Sequence, residues 1–236
     1  MKKRAIIIAA GEATRWNNYL GVSKHFIEID GEPIIKRTVR LLLENGVDDI
    51  YVVGKTKEYE IEGSKLYVPK LTPEYHDADK FLSSKDLWLR YEDGGGKTMV
   101  LYGDVYFTEY AIDKIVHCDH KDWLLFGRAL DSELTTNCGE CFAQTFYEGQ
   151  VDQHERALYK LIEYYNSGKL GRIGGWEHYR IMTGIPEEII HIQRIGGQFV
   201  EINDWTDDFD LPGNYDLFTS RRKSIKKCYV CGGSRI

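Results

Sequence analysis

An α/β fold, with a mostly parallel twisted sheet flanked by helices, is predicted by three observations. The chain opens on a six-residue apolar run, Ala5-Ile6-Ile7-Ile8-Ala9-Ala10. Continuous, β-branched hydrophobicity without alternation is what a strand buried on both faces requires. Two more strand-like runs, at 49–53 and 98–102, are separated from it and from each other by helix-like segments. Strand–helix–strand alternation at this spacing gives right-handed crossovers in a parallel sheet. Ligands on such sheets bind where strands run out at their carboxyl ends. The loops after Ala10 and after Tyr102 are therefore the places to look for chemistry.

The elements follow in order. Arg4 to Ala9 forms the first strand, and Gly11 to Asn18 a polar turn. Lys24 to Ile29 is a short extended piece that ends on the turn dipeptide Asp30-Gly31, with Pro33 at a helix start. From Ile34 to Asn45, apolar residues at 34, 35, 39, 42 and 43 keep helical spacing, and Asn45-Gly46 stops the helix. Asp49 to Val53 is the second strand, and 55–80 carries no clear signal. A helix is expected over Ser83 to Tyr91, a third strand over Thr98 to Tyr102 and a helix over Thr108 to Val116. Beyond about 120 the pattern changes to clustered glycines with frequent Trp and Tyr. This part is read as a smaller acceptor-side subdomain joined to the same sheet. One domain of 1–236 is expected: a nucleotide-binding half (1–118), an acceptor and metal half (119–219), and a basic tail (220–236).

Composition narrows the classes. With 31 Lys+Arg against 37 Asp+Glu the net charge is −6, which argues against a general polyanion binder and hence against nucleic acid as partner. No apolar run approaches the roughly 18–20 residues that span a bilayer. The basic start before the apolar run imitates a signal peptide, but six residues fall short of the roughly 7–15 of a signal core. Five cysteines, an odd number, point to a reducing, cytoplasmic setting. The pairs Cys138/Cys141 and Cys228/Cys231 lie too far apart for a compact zinc ribbon and read as reduced thiols. The seven histidines show no paired metal-ligand spacing, and no Ser-His-Asp set is present.

Four segments carry chemistry. In the first, a buried strand delivers Ala9-Ala10-Gly11-Glu12-Ala13-Thr14-Arg15, whose small residues let backbone amides approach a ligand closely. Arg15 and Lys24 add two cations, which suits a polyphosphate. The loop fits neither G-x-x-x-x-G-K-[ST] nor G-x-G-x-x-G. In the second, the strand Thr98 to Tyr102 runs into Gly103-Asp104, placing a carboxylate at the ligand end of the sheet. In the third, five acids fall between 201 and 210, a density that a cation would relieve. The fourth, Lys80 to Trp88, offers Ser83 and Ser84, as ligands or simply as helix N-caps.

The first segment, with Lys24 and then Gly31-Glu32-Pro33, resembles the signature A-A-G-x-G-T-R…K…G-x-P of nucleotidyltransferases that join a nucleoside triphosphate to a sugar phosphate, alcohol phosphate or similar acceptor. Molybdenum-cofactor guanylyltransferase-like and cytidylyltransferase-like proteins are among its members. Ala13 replaces the usual second glycine, and Ser23 replaces the proline that commonly precedes the lysine. The resemblance implies a Rossmann-like nucleotide-diphospho-sugar transferase fold. It also implies that residues 9–15, Lys24 and Gly103 hold the nucleotide, with Arg15 and Lys24 catalytic. Asp104 takes the position of the metal-binding aspartate. Asp208-Phe209-Asp210-Leu211-Pro212 is similar to the family's late acidic pair, so Asp208 or Asp210 is the second ligand of Mg²⁺, or of Mn²⁺ in its place.

The acceptor half is less informative. Arg128, Trp176, Glu177 and Arg180 are the candidates for holding a phosphorylated small molecule. Two other functions compete. One is a metal-dependent glycosyltransferase of the related fold, which usually carries D-x-D where this chain has Gly103-Asp104-Val105. The other is a nucleotide-binding module without catalysis, against which the intact Arg15, Lys24 and Asp104 argue. The aromatic surface permits a monomer or a homodimer.

Overall fold

The computed structural model describes residues 1–11, 13–70, 77–129, 134, 139–185 and 197–230. In chain order the strands are β1 (Lys3–Ile8), β2 (Glu28–Ile29), β3 (Glu32–Pro33), β4 (Asp49–Val53), β5 (Lys65–Tyr67), β6 (Lys97–Tyr102), β7 (Val105–Tyr106), β8 (Leu124–Arg128), β9 (Glu140–Tyr147), β10 (Phe199–Glu201) and β11 (Asp207–Asp208). The helices are α1 (Ile34–Glu44), α2 (Asp77–Leu82), α3 (Glu109–His117), α4 (Val151–Asn166), α5 (Gly175–Thr183) and α6 (Pro212–Val230).

A seven-stranded sheet in the order β10-β8-β9-β6-β1-β4-β5 organises the fold. β1 lies parallel to β4 and β6, β4 to β5 and β8 to β10, whereas β9 runs antiparallel to both β6 and β8. The apolar opening run becomes β1, with Ala5, Ile6 and Ile7 wholly buried. Alternate residues of β1 enter two cores. Ala5 and Ile7 pack toward α1 and α3, and Ile6 and Ile8 toward α2, α4 and α5. This two-sided burial is what the uninterrupted hydrophobicity encoded. Helix α3 begins where Thr108 accepts a hydrogen bond from the Ala111 amide through its side chain, an N-cap.

Two expectations change, and the basic tail takes a definite form. The helix expected over Ser83 to Tyr91 is displaced: α2 ends at Leu82, and Ser83 and Ser84 donate their hydroxyls to the Lys80 and Phe81 carbonyls at its end. A 3-10 turn over Lys85–Leu87 follows, and the Leu89 amide then meets Thr98 Oγ1. Lys24 to Phe26 is a 3-10 turn closed by the Phe26 amide on the Ser23 carbonyl, so the extended piece is confined to its end. The basic tail is helical as far as Val230. Its Arg222 bonds Asp30 and lies over the rings of Tyr106, Trp205 and Phe218 rather than in open solvent. The partner of Arg222 sits in the β2–β3 hairpin, whose two-residue turn has φ 56° at Asp30 and 83° at Gly31. Positive φ at both turn positions matches the twist of the paired strands, which is why an Asp-Gly dipeptide stands there.

Behind the sheet, His154 of α4 and His178 of α5 face each other with ring centroids 4.8 Å apart. Phe81, Trp88, Trp123 and Phe146 surround them. Both are buried, and none of their four ring nitrogens has a hydrogen-bond partner. Burial holds His178 down at about 3, and burial with the neighbouring imidazole holds His154 well below its ordinary range. The unfolded chain takes up these protons below about pH 6.5 and the folded chain does not, so stability falls with pH at up to about 1.4 kcal/mol per pH unit per histidine. Urea titrations between pH 7 and pH 5 are expected to show this slope, and His178→Phe is expected to reduce it. An unchanged slope in His178→Phe would refute the assignment.

Candidate active site

The carboxyl ends of β1 and β6 lie side by side, with Ile8 opposite Tyr102. Gly103 follows, its amide bonded to the Ile8 carbonyl at 2.9 Å. A Cβ on Gly103 would lie 2.7 Å from that carbonyl oxygen, so only glycine lets the two strand ends meet this closely. The approach sets Asp104 beside the loop after β1. A short ladder supplies the other acids: β11 pairs antiparallel with β7, Asp208 opposite Val105, and the Phe209 amide bonds the Asp104 carbonyl. Residues about a hundred positions apart in sequence thus share one corner of the molecule.

Lys24 is the hub of that corner. Its ammonium forms an ion pair with Asp104 and another, at 3.2 Å, with Asp210. Arg15 reaches the other oxygen of Asp210 at 2.7 Å. Burial works to raise the Asp104 carboxyl, but the Lys24 charge overrides it and draws the group down to about 2. For Lys24, burial favours the neutral amine, and the charges of Asp104 and Asp210 outweigh it and keep the ammonium. The lysine is held in place from behind. The neighbouring His25 is buried, and its Nδ1 lies 3.0 Å from both Ser23 Oγ and Tyr59 Oη. Burial lowers this imidazole to about 4, so it stays neutral beside the lysine. Ser23, where the family pattern has proline, is therefore a hydrogen-bonding partner of the histidine that follows the lysine.

Asp208 is crowded by other acids, Glu140 first among them. Burial and then the Glu140 charge push Asp208 well up, and burial with the Asp207 and Asp210 charges raises Glu140. Two carboxyl groups forced together in this way hold a proton between them unless a cation takes its place.

These groups line a cavity of about 540 Å³. Ala13, Thr14, Arg15, Lys24, Asp104, Asp208, Asp210, Trp176 and Glu177 of the sequence-derived candidates lie on it. The others are placed differently. Ala9 and Ala10 are buried under the loop, Gly11 packs against Lys80, and Glu12 lies outside the described residues. Ser83 and Ser84 are buried and turned to backbone carbonyls. Arg180 lies behind Glu177. Arg128 is wholly buried, bonding Asp207 at 2.6 Å and the Thr206 carbonyl at 2.9 Å, so its guanidinium is used internally and does not hold an acceptor. Asp207 and Arg128 instead fix the strand that carries Asp208.

Sequence reasoning passed over Lys80, Tyr102, Glu140 and Arg172, all of which line the cavity. Glu140 reaches it because β9 runs against its neighbours and so begins at the edge where they end. A reversed strand leaves no mark in local sequence. Of the cysteines, Cys141 lines the cavity, whereas Cys138 and Cys231 lie outside the described residues. Among the described residues no three His, Cys, Asp or Glu side chains are arranged to hold a metal ion by themselves, and no helix is long and apolar enough to cross a membrane.

No curated protein matches the sequence. Among solved structures, a CTP:phosphocholine cytidylyltransferase from Streptococcus pneumoniae superposes with a TM-score of 0.60 at 14% identity, over 93% of this chain and 99% of the other. A Bacillus anthracis protein assigned as a glucose-1-phosphate thymidylyltransferase gives 0.55 at 14% identity, over 92% and 94%. At such identities the likeness establishes the nucleotidyltransferase fold, mostly parallel and Rossmann-like. The sequence itself carries the closer relation. The model of the MobA-like NTP transferase domain matches residues 5–136, more than half of the chain, and the chain belongs to that family.

Proposed function

We propose that the protein transfers a nucleotidyl group from a nucleoside triphosphate to a phosphorylated small-molecule acceptor and releases pyrophosphate. The supporting observation is the junction of Lys24 with Asp104 and Asp210 at the mouth of the phosphate loop. An acceptor phosphate oxygen attacks the α-phosphorus in line, and the bond to the pyrophosphate breaks. Positioning and charge neutralisation carry such a reaction. The amides of the loop after β1, with Arg15, take the leaving phosphates, and Lys24 faces the α-phosphoryl group. An acceptor phosphate is already ionised, so no general base is required.

The donors fit a divalent cation. Asp104 and Asp208 offer hard carboxylate oxygens, Asp104 already ionised and Asp208 crowded against Glu140. Asp210 already has two cations, Arg15 and Lys24, and Asp208 is pressed against Glu140, so a divalent cation would relieve most repulsion with Asp208 as its second ligand. Mg²⁺ is commonly held by one or two carboxylates with substrate phosphates completing its shell, which agrees with a site of two acids. When bound it supplies charge neutralisation at the phosphates. Lys24 meanwhile keeps Asp104 deprotonated, and His25 with Ser23 and Tyr59 fixes the lysine's backbone.

The test is to incubate the protein with Mg²⁺, each NTP and a panel of sugar and alcohol phosphates, and to measure pyrophosphate. Acceptor-dependent release that EDTA abolishes is expected. Nucleoside diphosphate formed from nucleotide sugars, with no release from NTPs, would replace this reading by glycosyl transfer.

A further inference from the structure

Lys80 of α2 reaches the loop after β1, although the motif that contains Arg15 and Lys24 does not include it. It lines the cavity, and its stem crosses Gly11, the residue that follows the buried Ala9-Ala10 step. A Cβ on Gly11 would stand 3.0 Å from Lys80 Cε and 3.7 Å from its Nζ. Gly11 does not adopt a positive φ, so its backbone does not demand a glycine. What crowds a side chain there is the lysine.

The approach is fixed from α2. Ser83 donates its hydroxyl to the Lys80 carbonyl at 2.6 Å and so closes the end of the helix at that residue. The next side chain, Phe81, is buried edge-on against Tyr102 and lies beside His178. Lys80 therefore extends into the cavity from an anchored backbone. Its charge reaches the catalytic corner. Burial raises the Asp104 carboxyl, and the Lys80 charge joins those of Lys24 and His25 in drawing it down. Burial lowers His25, and Lys80 lowers it further.

Charge balance explains what an ammonium does at this point. Arg15 and Lys24 bring two positive charges, and Asp104 and Asp210 bring two negative ones. Those four groups together offer no net charge to a polyanion. In the transfer, an acceptor phosphate oxygen bonds to the α-phosphorus as the bond to pyrophosphate breaks. The acceptor carries its own negative charge to a group that is already anionic, so negative charge is most concentrated there in the transition state. A cation fixed beside it stabilises that state more than the bound substrates.

Resting on the nucleotidyl-transfer reading above, we infer that Lys80 is a second catalytic lysine, its ammonium set against the α-phosphoryl group beside Lys24, with Gly11 kept small to admit it. The ammonium keeps its proton throughout and acts by its charge alone.

The experiment uses the intact protein with Mg²⁺, each NTP in turn and a panel of sugar and alcohol phosphates, and measures pyrophosphate. Lys80→Met keeps the length of the stem and removes the charge. With the substrates that are turned over, it is expected to lower kcat by about tenfold or more, with both KM values within about threefold of wild type. Near-normal KM values also show that the variant is folded. Gly11→Ala pushes the stem aside and should lower kcat too. In a Lys80→Ala background the same alanine should cost less than about twofold, because the residue it displaces is already gone. An equal cost of Gly11→Ala in both backgrounds would overturn the pairing of Gly11 with Lys80. A loss confined to the KM for NTP, or a change only in which base is accepted, would place Lys80 in substrate binding and overturn its catalytic role. Unchanged kcat in Lys80→Met would overturn it as well, while the nucleotidyl-transfer reading stands. An absence of pyrophosphate release by the wild-type protein with every NTP and acceptor would overturn both.

Discussion

Replacing Lys24 with alanine is expected to lower kcat for pyrophosphate release by about 10²–10³, the size of effect that loss of one preorganised transition-state cation produces. The same change has a second signature. Asp104 is held at about 2 chiefly because the lysine opposes its burial. Without the ammonium, burial is opposed only by the smaller contributions of His25 and Lys80, so the carboxyl rises and its ionised form is lost at a higher pH. The acid limb of the pH–rate profile should therefore move upward in Lys24→Ala, whereas an effect confined to folding would leave it in place. Lys24→Arg should restore little, since a planar fork cannot sit between two carboxylates as a compact ammonium does. Stopped assays across pH 4–8 give both readouts. A variant that keeps more than about a tenth of kcat would remove Lys24 from the chemistry.

The Arg128–Asp207 pair should produce the largest change in stability. Both side chains are fully buried and meet at 2.6 Å. Arg128→Met leaves the Asp207 carboxylate buried without that cation, which costs about 3–5 kcal/mol. Adding Asp207→Leu removes the stranded charge and should recover much of the loss. Urea midpoints for the two single variants and the double variant form the test. A double variant no more stable than Arg128→Met would mean that the pair's charge is not what matters. Activity should suffer in all three, because this pair anchors β11 and hence Asp208.

These results bear on how much the sequence reveals. The β1 strand, the α1 helix and the Gly103-Asp104 step are legible because each depends on local pattern: unbroken β-branched hydrophobicity, helical spacing with an Asn-Gly stop, and a strand ending in an acid. The loop after β1 and Lys24 stand out in the sequence because together they resemble a family motif, and the structure brings Arg15 and Lys24 to one cavity. Arg128 looked like a ligand for an anion because its guanidinium matches phosphate. That Asp207 consumes it depends on strands that meet only in three dimensions. Glu140 is hidden by the reversal of β9, and Ser83 and Ser84 misled because hydroxyls suit either end of a helix. That Arg15 and Lys24 both reach Asp210 likewise depends on residues that meet only in three dimensions.

The order of strands in the sheet has a consequence for how the protein is made. Synthesis delivers β1, Lys24 and Asp104 within the first half of the chain, yet β11 pairs with β7 only after residue 208 has left the ribosome. Amino-terminal segments fold first as a chain emerges. A nascent chain can thus build the phosphate loop and the Lys24–Asp104 contact while lacking the second acid, the Arg15 anchor at Asp210 and the α6 contact to Asp30. Translation interrupted before that point leaves a product with half of the site. Only a polypeptide extended past Asp210 can bring the charges of Arg15, Lys24, Asp104 and Asp210 together.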